Sequence, residues 1–212
     1  MSEARVTAIE TAAVRGFLHE PIKPSGTGLV LTHGAGSDCT APLLVAMAAQ
    51  FCDSGFTVLR CDLAFRRKRP KGPPSPATSA ADRDGLRDAV AALRERISGK
   101  IYLGGHSYGG RQASMLAAET SDIAAALLLL SYPLHPPNKP MQLRTQHFAQ
   151  LRVPALFVSG TKDGFGTVAE IEAAIKTIPA ATRLIVIDGA RHDLRIGRFD
   201  RVALPEALTA LG

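Results

Sequence analysis

The sequence predicts an α/β protein with three layers, in which a mostly parallel sheet of about six to eight strands is covered by helices on both faces. Three observations predict this class. Short segments are apolar at nearly every position, as in strands buried on both faces. Segments with helical periodicity alternate with them along the chain. Glycine-rich or polar turns follow several strands, at the sheet edge where open α/β folds form their sites.

The predicted sheet begins with an edge pair. Residues 5–20 alternate loosely between polar and apolar side chains and predict two antiparallel strands. The remaining strands are predicted from apolar runs at Gly28–Thr32, Phe56–Leu63, Ile101–Leu103, Ala124–Ser131, Pro154–Ser159 and Arg183–Asp188. The longest apolar run, Ile123–Leu130, is far too short to cross a bilayer, so we expect no membrane span.

Helices are predicted between these strands, where apolar residues recur every three or four positions. The predicted helix ends are N-caps at Thr40 and Ser79, a capping box of Thr167 and Glu170, and a stop at Gly55. Two shorter helices are predicted near Thr145 and Pro205.

Length and composition indicate one domain, residues 1–212, with a single core, since the chain is 46% hydrophobic and 21% charged. Trp is absent and aromatic residues make up 5%, so we expect no nucleic-acid partner, because proteins that bind single strands stack bases on aromatic rings. The net charge of +6 is moderate. These totals leave the oligomeric state open.

The three cysteines, Cys39, Cys52 and Cys61, are few and odd in number, which favours reduced thiols and a cytoplasmic location. Their spacing fits no metal site, and we expect neither a metal nor another cofactor. The first ten residues contain no apolar segment of the kind found in signal peptides.

The Gly-x-Ser-x-Gly motif at Gly105–Gly109 is the strongest local signal for function. It follows the strand Ile101–Leu103 and precedes a helical pattern, which is the context of a nucleophile elbow. Glycines at both flanks allow the strand and the helix to approach closely. The motif therefore predicts that Ser107 stands alone at the strand end as a nucleophile.

A serine hydroxyl needs a base to take its proton and an acid to orient that base. His192 follows the last predicted strand and Asp163 the strand before it, which gives the order Ser, acid, His. Asp188 and Asp193 are weaker candidates, because Asp188 still lies at a strand end and Asp193 adjoins the histidine. We expect Asp163 to bond His192 Nδ1, and His192 Nε2 to bond Ser107.

The tetrahedral intermediate of such a reaction needs hydrogen-bond donors for its negative oxygen. The backbone N–H of Tyr108, next to the nucleophile, is predicted as one donor. The second is predicted in the glycine-rich turn after the first parallel strand, at Ala35, with Gly34 as the alternative. His33, in the same turn, and His106 are expected to be structural.

These motifs resemble the α/β-hydrolase superfamily, and more narrowly the small hydrolases grouped near dienelactone hydrolase. That group shares its domain with a testis-expressed protein and with a subunit of the non-specific-lethal chromatin complex. The matching segments are T-H-G-A-G-S-D, G-G-H-S-Y-G-G-R, S-Y-P-L-H-P-P-N-K-P, F-V-S-G-T-K-D-G-F-G and G-A-R-H-D, within residues 32–193. The resemblance implies the α/β-hydrolase fold and its Ser, Asp and His. Dienelactone hydrolase has a cysteine nucleophile, whereas this position is Ser107, and no segment is long enough for a helical cap domain.

Two loops are predicted to select the substrate. The basic segment Arg66–Lys71 follows a strand and would attract an acidic or phosphate-bearing substrate, although a solvated loop is the alternative. The stiff, proline-rich loop Tyr132–Pro140 would form a rim beside the nucleophile. The candidate substrate-binding residues are Arg66, Arg67, Tyr132, His135 and, in the glycine-rich turn, His33.

The predicted function is a serine hydrolase that cleaves a small carboxylic ester or thioester, neutral or anionic, through an acyl-enzyme on Ser107. A peptidase or an acyltransferase would use the same three residues. From another class, a catalytically idle α/β-hydrolase fold could serve as an interaction module, since fold alone does not decide function.

Overall fold

A computed structural model describes residues 4–194 and 203–212. Residues 1–3, at the start of the segment in which no signal peptide is expected, lie outside the described residues. The strands are β1 (Arg5–Glu10), β2 (Arg15–Glu20), β3 (Gly28–Thr32), β4 (Thr57–Cys61), β5 (Ile101–His106), β6 (Leu127–Leu130), β7 (Ala155–Gly160) and β8 (Thr182–Ile187). The helices are α1 (Pro42–Asp53), α2 (Ala64–Lys68), α3 (Ser79–Arg94), α4 (Tyr108–Glu119), α5 (Val168–Ile175) and α6 (Ala203–Thr209).

The strands form one sheet in the order β1-β2-β4-β3-β5-β6-β7-β8. β1 pairs with β2 in antiparallel fashion, as predicted for the edge pair, and β2 also pairs antiparallel with β4. All other pairings, from β4–β3 to β7–β8, are parallel. The carboxyl ends of β3, β5, β7 and β8 therefore lie along one edge of the sheet, where the loops that follow them can converge.

Helices cover both faces of the sheet and bury two apolar layers. α3, α4 and α5 pack on one face through residues such as Leu93, Leu116 and Ile171, whereas α1 and α6 pack on the other. Consecutive residues of β3 alternate between the layers, since Val30 belongs to the first and Leu29 to the second. The predicted three-layer, mostly parallel α/β class is confirmed.

The predicted helix ends agree only in part with the structure. The capping box of Thr167 and Glu170 is present, and Gly55 has a φ of 91° in the left-handed region. Thr40 and Ser79 are not caps. The Thr40 hydroxyl donates to Asp38 instead, and Ser79 lies inside the first turn of α3, where its hydroxyl donates to Gln112.

The connections between strands are short or contain a helix that packs on the sheet. The longest irregular one runs from residue 131 to residue 154 and contains only a 3₁₀ turn, Phe148–Gln150. Within residues 4–194 and 203–212, no helical insertion forms a cap domain over the sheet edge. No helix in this part of the chain has both the length and the apolar character that a membrane crossing requires.

Candidate active site

Ser107 occupies a sharp turn between β5 and α4. Its backbone has φ 51° and ψ −117°, a conformation that non-glycine residues rarely adopt and that costs of order 1–3 kcal/mol. A Cβ on Gly105 would lie 2.7 Å from the Thr32 carbonyl oxygen, and one on Gly109 would lie 2.5 Å from that of His33. Both glycines are therefore required for the close approach that presents the Ser107 side chain at the strand end.

The structure brings Ser107, His192 and Asp163 together in the predicted hydrogen-bond order. His192 Nδ1 lies 2.9 Å and 2.8 Å from the two Asp163 oxygens, and Nε2 lies 2.8 Å from Ser107 Oγ. Because an ionised carboxylate only accepts, Nδ1 carries the proton in this arrangement, and Nε2 accepts from the serine hydroxyl. A neutral imidazole in this tautomer can take the Ser107 proton.

Neighbouring side chains fix the position of His192. The ring of Phe165 stacks on it, with centroids 4.1 Å apart and planes at 29°. His106 Nε2 lies 2.7 Å from the His192 carbonyl oxygen and donates to it, since a carbonyl only accepts. Burial lowers the pKa of His106 to about 4, so this ring is neutral at pH 7. Asp163 is itself 7% exposed and also accepts from the Phe165 N–H.

The rival acid Asp188 does not face the histidine. Its Oδ1 accepts from the Thr161 hydroxyl at 3.2 Å, at the far end of the turn that carries His192. Within the described residues, no hydrogen bond joins Asp188 to the His192 ring, whose Nδ1 instead lies within hydrogen-bond distance of both Asp163 oxygens. Asp163 is therefore the acid that the geometry places against the imidazole.

The turn after β3 leaves backbone N–H groups free beside Ser107. The Gly34 carbonyl accepts from His33 Nδ1–H at 2.8 Å, and the Ala35 carbonyl accepts from Arg66 at 3.0 Å. The Ala35 N–H has no acceptor among residues 4–194 and 203–212. The Tyr108 N–H is the first of α4, a position without an intrahelical partner. This arrangement can supply the two predicted donors.

A buried carboxyl holds the side chain of Tyr108. Asp82 is fully buried, and it accepts from the Tyr108 hydroxyl and from the Phe65 N–H, both at 2.8 Å. Burial raises the pKa of Asp82. The sequence pattern indicates only a helix N-terminus here, so this support for the residue after Ser107 was not predicted.

A cavity of about 620 Å³ opens beside Ser107. The apolar part of its lining includes Pro73, Pro74, Pro76, Pro133 and Phe165. Two arginines, Arg111 and Arg144, also line it, and neither was predicted as a substrate contact. Arg111 stands four residues after Ser107, a spacing that places both on one side of a helix. Arg144 lies in an irregular loop, where no periodicity marks it.

The five predicted substrate contacts do not line this cavity. The His33 ring is fully buried, and its Nε2 accepts from the Leu63 N–H. The Tyr132 hydroxyl is buried and donates to the Arg144 carbonyl at 2.6 Å. His135 is 6% exposed, with its ring bonded to the Pro136 carbonyl.

The basic segment holds backbone carbonyls rather than facing the cavity. Arg66 is 4% exposed and donates to five carbonyl oxygens, those of Ser37, Arg69, Pro70, Ala35 and Gly72. Arg67 donates to the carbonyls of Ala12 and Ala13, in the turn between β1 and β2. Both guanidinium groups are thus engaged within the fold, which explains why neither reaches the cavity beside Ser107.

The described residues contain no group of three or more His, Cys, Asp or Glu side chains placed to hold a metal ion. All three cysteines are free and buried, and burial raises their pKa, to about 12 at Cys39 and about 11 at Cys52.

Comparison with known proteins agrees with this architecture. A family model described as an alpha/beta hydrolase domain matches residues 25–209. Among solved structures, a dienelactone hydrolase from Anabaena variabilis is 20% identical, with a TM-score of 0.74 over 99% of this chain and 97% of that chain. An α/β serine hydrolase without a lid from Xanthomonas campestris is 16% identical, with a TM-score of 0.71 over 99% of this chain and 94% of that chain. Est1E from Butyrivibrio proteoclasticus is 17% identical, with a TM-score of 0.70 over 95% of each chain. At these identities the likeness concerns the fold alone.

Proposed function

The chain belongs to the alpha/beta hydrolase domain family, and from that premise we propose that it is a serine hydrolase acting on small carboxylic esters or thioesters. The observation that carries the proposal is the chain of hydrogen bonds from Ser107 through His192 to Asp163, with the serine in a strained turn. Strain at a nucleophile is maintained only where the surrounding fold enforces it.

In the proposed reaction, Ser107 Oγ attacks the carbonyl carbon while His192 Nε2 takes the hydroxyl proton. Asp163 stabilises the imidazolium that forms and keeps Nδ1 protonated. His192 then gives its proton to the leaving alcohol or thiol as the acyl-enzyme forms. Water, deprotonated by the same nitrogen, attacks the acyl group, and His192 then returns this proton to Ser107 Oγ as the bond to the serine breaks and the acid is released.

The negative oxygen of each tetrahedral intermediate would be bound by the N–H groups of Ala35 and Tyr108. Gly34 remains the alternative donor, since its N–H also has no acceptor among the described residues. A donor of this kind contributes roughly 10²–10³-fold to kcat in enzymes with oxyanion holes. Without a cap over the described sheet edge, the cavity is accessible to small or exposed esters.

The test is labelling of the purified protein with a fluorophosphonate, which reacts with activated serines. We expect wild-type protein to be labelled at Ser107 and the Ser107→Ala variant to remain unlabelled. Ser131→Ala is the matched control, because Ser131 also ends a strand with a positive φ, of 49°, but has no histidine partner. Absence of Ser107-dependent labelling in folded protein would instead favour the idle interaction module.

A further inference from the structure

The cavity beside Ser107 contains two guanidinium groups that lack a counter-charge. Neither Arg111 nor Arg144 forms an ion pair with any carboxylate in the described part of the chain. The one side-chain hydrogen bond of Arg144 goes to the Pro133 carbonyl at 3.3 Å. The Nε of Arg111 is buried without an acceptor. Other arginines of the protein do pair, such as Arg15 with Asp62 and Arg83 with Glu119.

A second buried donor in the same cavity wall also lacks an acceptor among residues 4–194 and 203–212. Gln112 is fully buried, and its Oε1 accepts from the Ser79 hydroxyl at 3.0 Å and from Arg83 at 3.4 Å. These bonds fix the amide orientation and leave its Nε2 buried without a partner. An unsatisfied buried donor costs about 1–3 kcal/mol, so two side by side in one cavity wall indicate a site whose acceptor comes from outside the protein.

Within the described part of the chain, no carboxylate forms an ion pair that would compensate the positive charge of these two arginines. Burial and the nearby Arg111 lower the pKa of Arg144, which indicates that the two guanidinium groups repel each other. Burial, Arg111 and Arg83 lower the pKa of His147 to about 4, so this ring is neutral at pH 7. The nearest buried carboxyl on α3, Asp82, is occupied by Tyr108 and Phe65. A bound anion would relieve the repulsion.

We infer that the substrate of the proposed hydrolase is an anionic ester, whose carboxylate or phosphate is held by Arg111 and Arg144. Paired guanidinium groups bind both anions in a bidentate manner. Arg111 follows Ser107 by about one helical turn and lines the same cavity, which places the anion-binding side chains on the substrate side of the nucleophile. The inference rests on the proposed serine hydrolase function.

The experiment compares matched pairs of chromogenic esters at pH 7. On the acyl side, nitrophenyl hemiesters of succinic, glutaric and adipic acid are each paired with the neutral nitrophenyl ester of equal chain length. On the leaving-group side, 4-acetoxybenzoate is paired with phenyl acetate. We expect kcat/KM for the anionic member of at least one pair to exceed that of its neutral partner by about tenfold or more.

The variants Arg144→Gln and Arg111→Gln should abolish this preference through a higher KM for the anionic ester, so that both members of a pair are hydrolysed with similar kcat/KM. Arg183→Gln, which removes an exposed arginine outside the cavity, is the matched control and should leave the preference unchanged. Because Arg111 is half-buried, circular dichroism checks that its variant is folded. If Arg111→Gln does not fold, Arg144→Gln alone tests the proposal.

The two proposals fail in different ways. If wild-type protein hydrolyses the neutral esters with Ser107 dependence but shows no anionic preference in either series, the anion site is wrong and the hydrolase stands. A preference that survives in both arginine variants also overturns the anion site. If neither ester class reacts and the fluorophosphonate does not label Ser107, the hydrolase itself is wrong.

Discussion

At the scale of single residues, two observations favour Asp163 as the acid of the proposed site: its carboxylate is buried, and both of its oxygens lie close to His192 Nδ1. Both of its oxygens face His192 Nδ1, and the Phe165 N–H donates to one of them. An exposed carboxylate would exchange this geometry for water. In the proposed mechanism, the buried Asp163 carboxylate holds the imidazole in a single tautomer.

Asp163→Asn therefore lowers kcat of the proposed reaction by roughly 10³–10⁴-fold, because an amide at this position permits the wrong tautomer, as in serine proteases. KM should change little. The measurement is steady-state hydrolysis of a neutral nitrophenyl ester, together with the rate of fluorophosphonate labelling.

The control is Asp188→Asn, the other acid near this turn, which bonds to Thr161 and not to the histidine. Its kcat should stay within about twofold of wild type. An equal loss in both variants would show that the charge near the turn, and not the contact with His192, supports the reaction.

Only some residues of the proposed site can be predicted from the sequence. Ser107, Asp163 and His192 can be predicted because each follows its own strand, and the order of the parallel strands then brings them to one edge. Arg111 could have been found from its spacing of four residues after Ser107. Arg144 could not, because its position depends on the irregular path of residues 131–154, which no periodicity specifies.

At the scale of secondary-structure elements, the turn after β3 depends on a guanidinium from α2. Arg66 donates to Ala35 and Ser37 in that turn and to three carbonyls of residues 69–72. It thus joins the segment with the proposed oxyanion donor to the start of the proline-rich cavity wall. A lysine would not reproduce this, since its ammonium group has only three donors on one nitrogen.

Arg66→Gln should lower kcat on neutral esters by about tenfold or more with little change in KM, because a small displacement of the Ala35 N–H weakens oxyanion binding. The loss of charged donors to five backbone carbonyls should also lower the free energy of unfolding by roughly 1–3 kcal/mol. Ester kinetics and urea denaturation measure the two effects.

Arg67→Gln is the matched control, since Arg67 serves the turn between β1 and β2 instead. It should reduce stability while leaving kcat within about twofold. If Arg66→Gln instead raised KM for anionic esters alone, Arg66 would be a substrate contact and the positioning role would be wrong.

Strands were easier to predict than helix ends for a physical reason. A strand buried on both faces is apolar at nearly every position, so β3 was predicted with its observed bounds. A cap depends on one hydroxyl that has several local partners. Thr40 bonds to Asp38, and Ser79 crosses to Gln112 on α4, so neither caps a helix. Propensity alone does not decide between such partners.

At the scale of the whole molecule, the three-layer architecture buries several imidazoles that take no part in the proposed proton transfer. His19 lies at the β2–β4 pairing and accepts from Arg60 at 2.8 Å, while His147 lies beside α4 with its Nε2 2.8 Å from the Ser114 hydroxyl. Burial lowers the pKa of His19, His106 and His147 to about 4 each. These groups couple the stability of the fold to pH.

The sign of the coupling follows from where the protons bind. In the unfolded chain each histidine titrates near its ordinary pKa of about 6.5, whereas in the folded protein it stays neutral down to about pH 4. Between these values the unfolded state binds more protons, so stability is fully present above pH 6.5 and falls as the pH is lowered towards 4. Asp82 opposes the trend, because its raised pKa favours proton uptake by the folded state.

The free energy of unfolding should therefore decrease from pH 7 to pH 4.5, with a slope of at most about 1.4 kcal/mol per pH unit for each buried histidine. Urea titrations at half-unit intervals measure it. The double variant His19→Gln, His147→Gln keeps an acceptor near Arg60 and removes two titrating groups, so its curve should be flatter than that of wild type. A double variant with the wild-type slope would show that carboxylates, and not buried imidazoles, govern the loss of stability in acid.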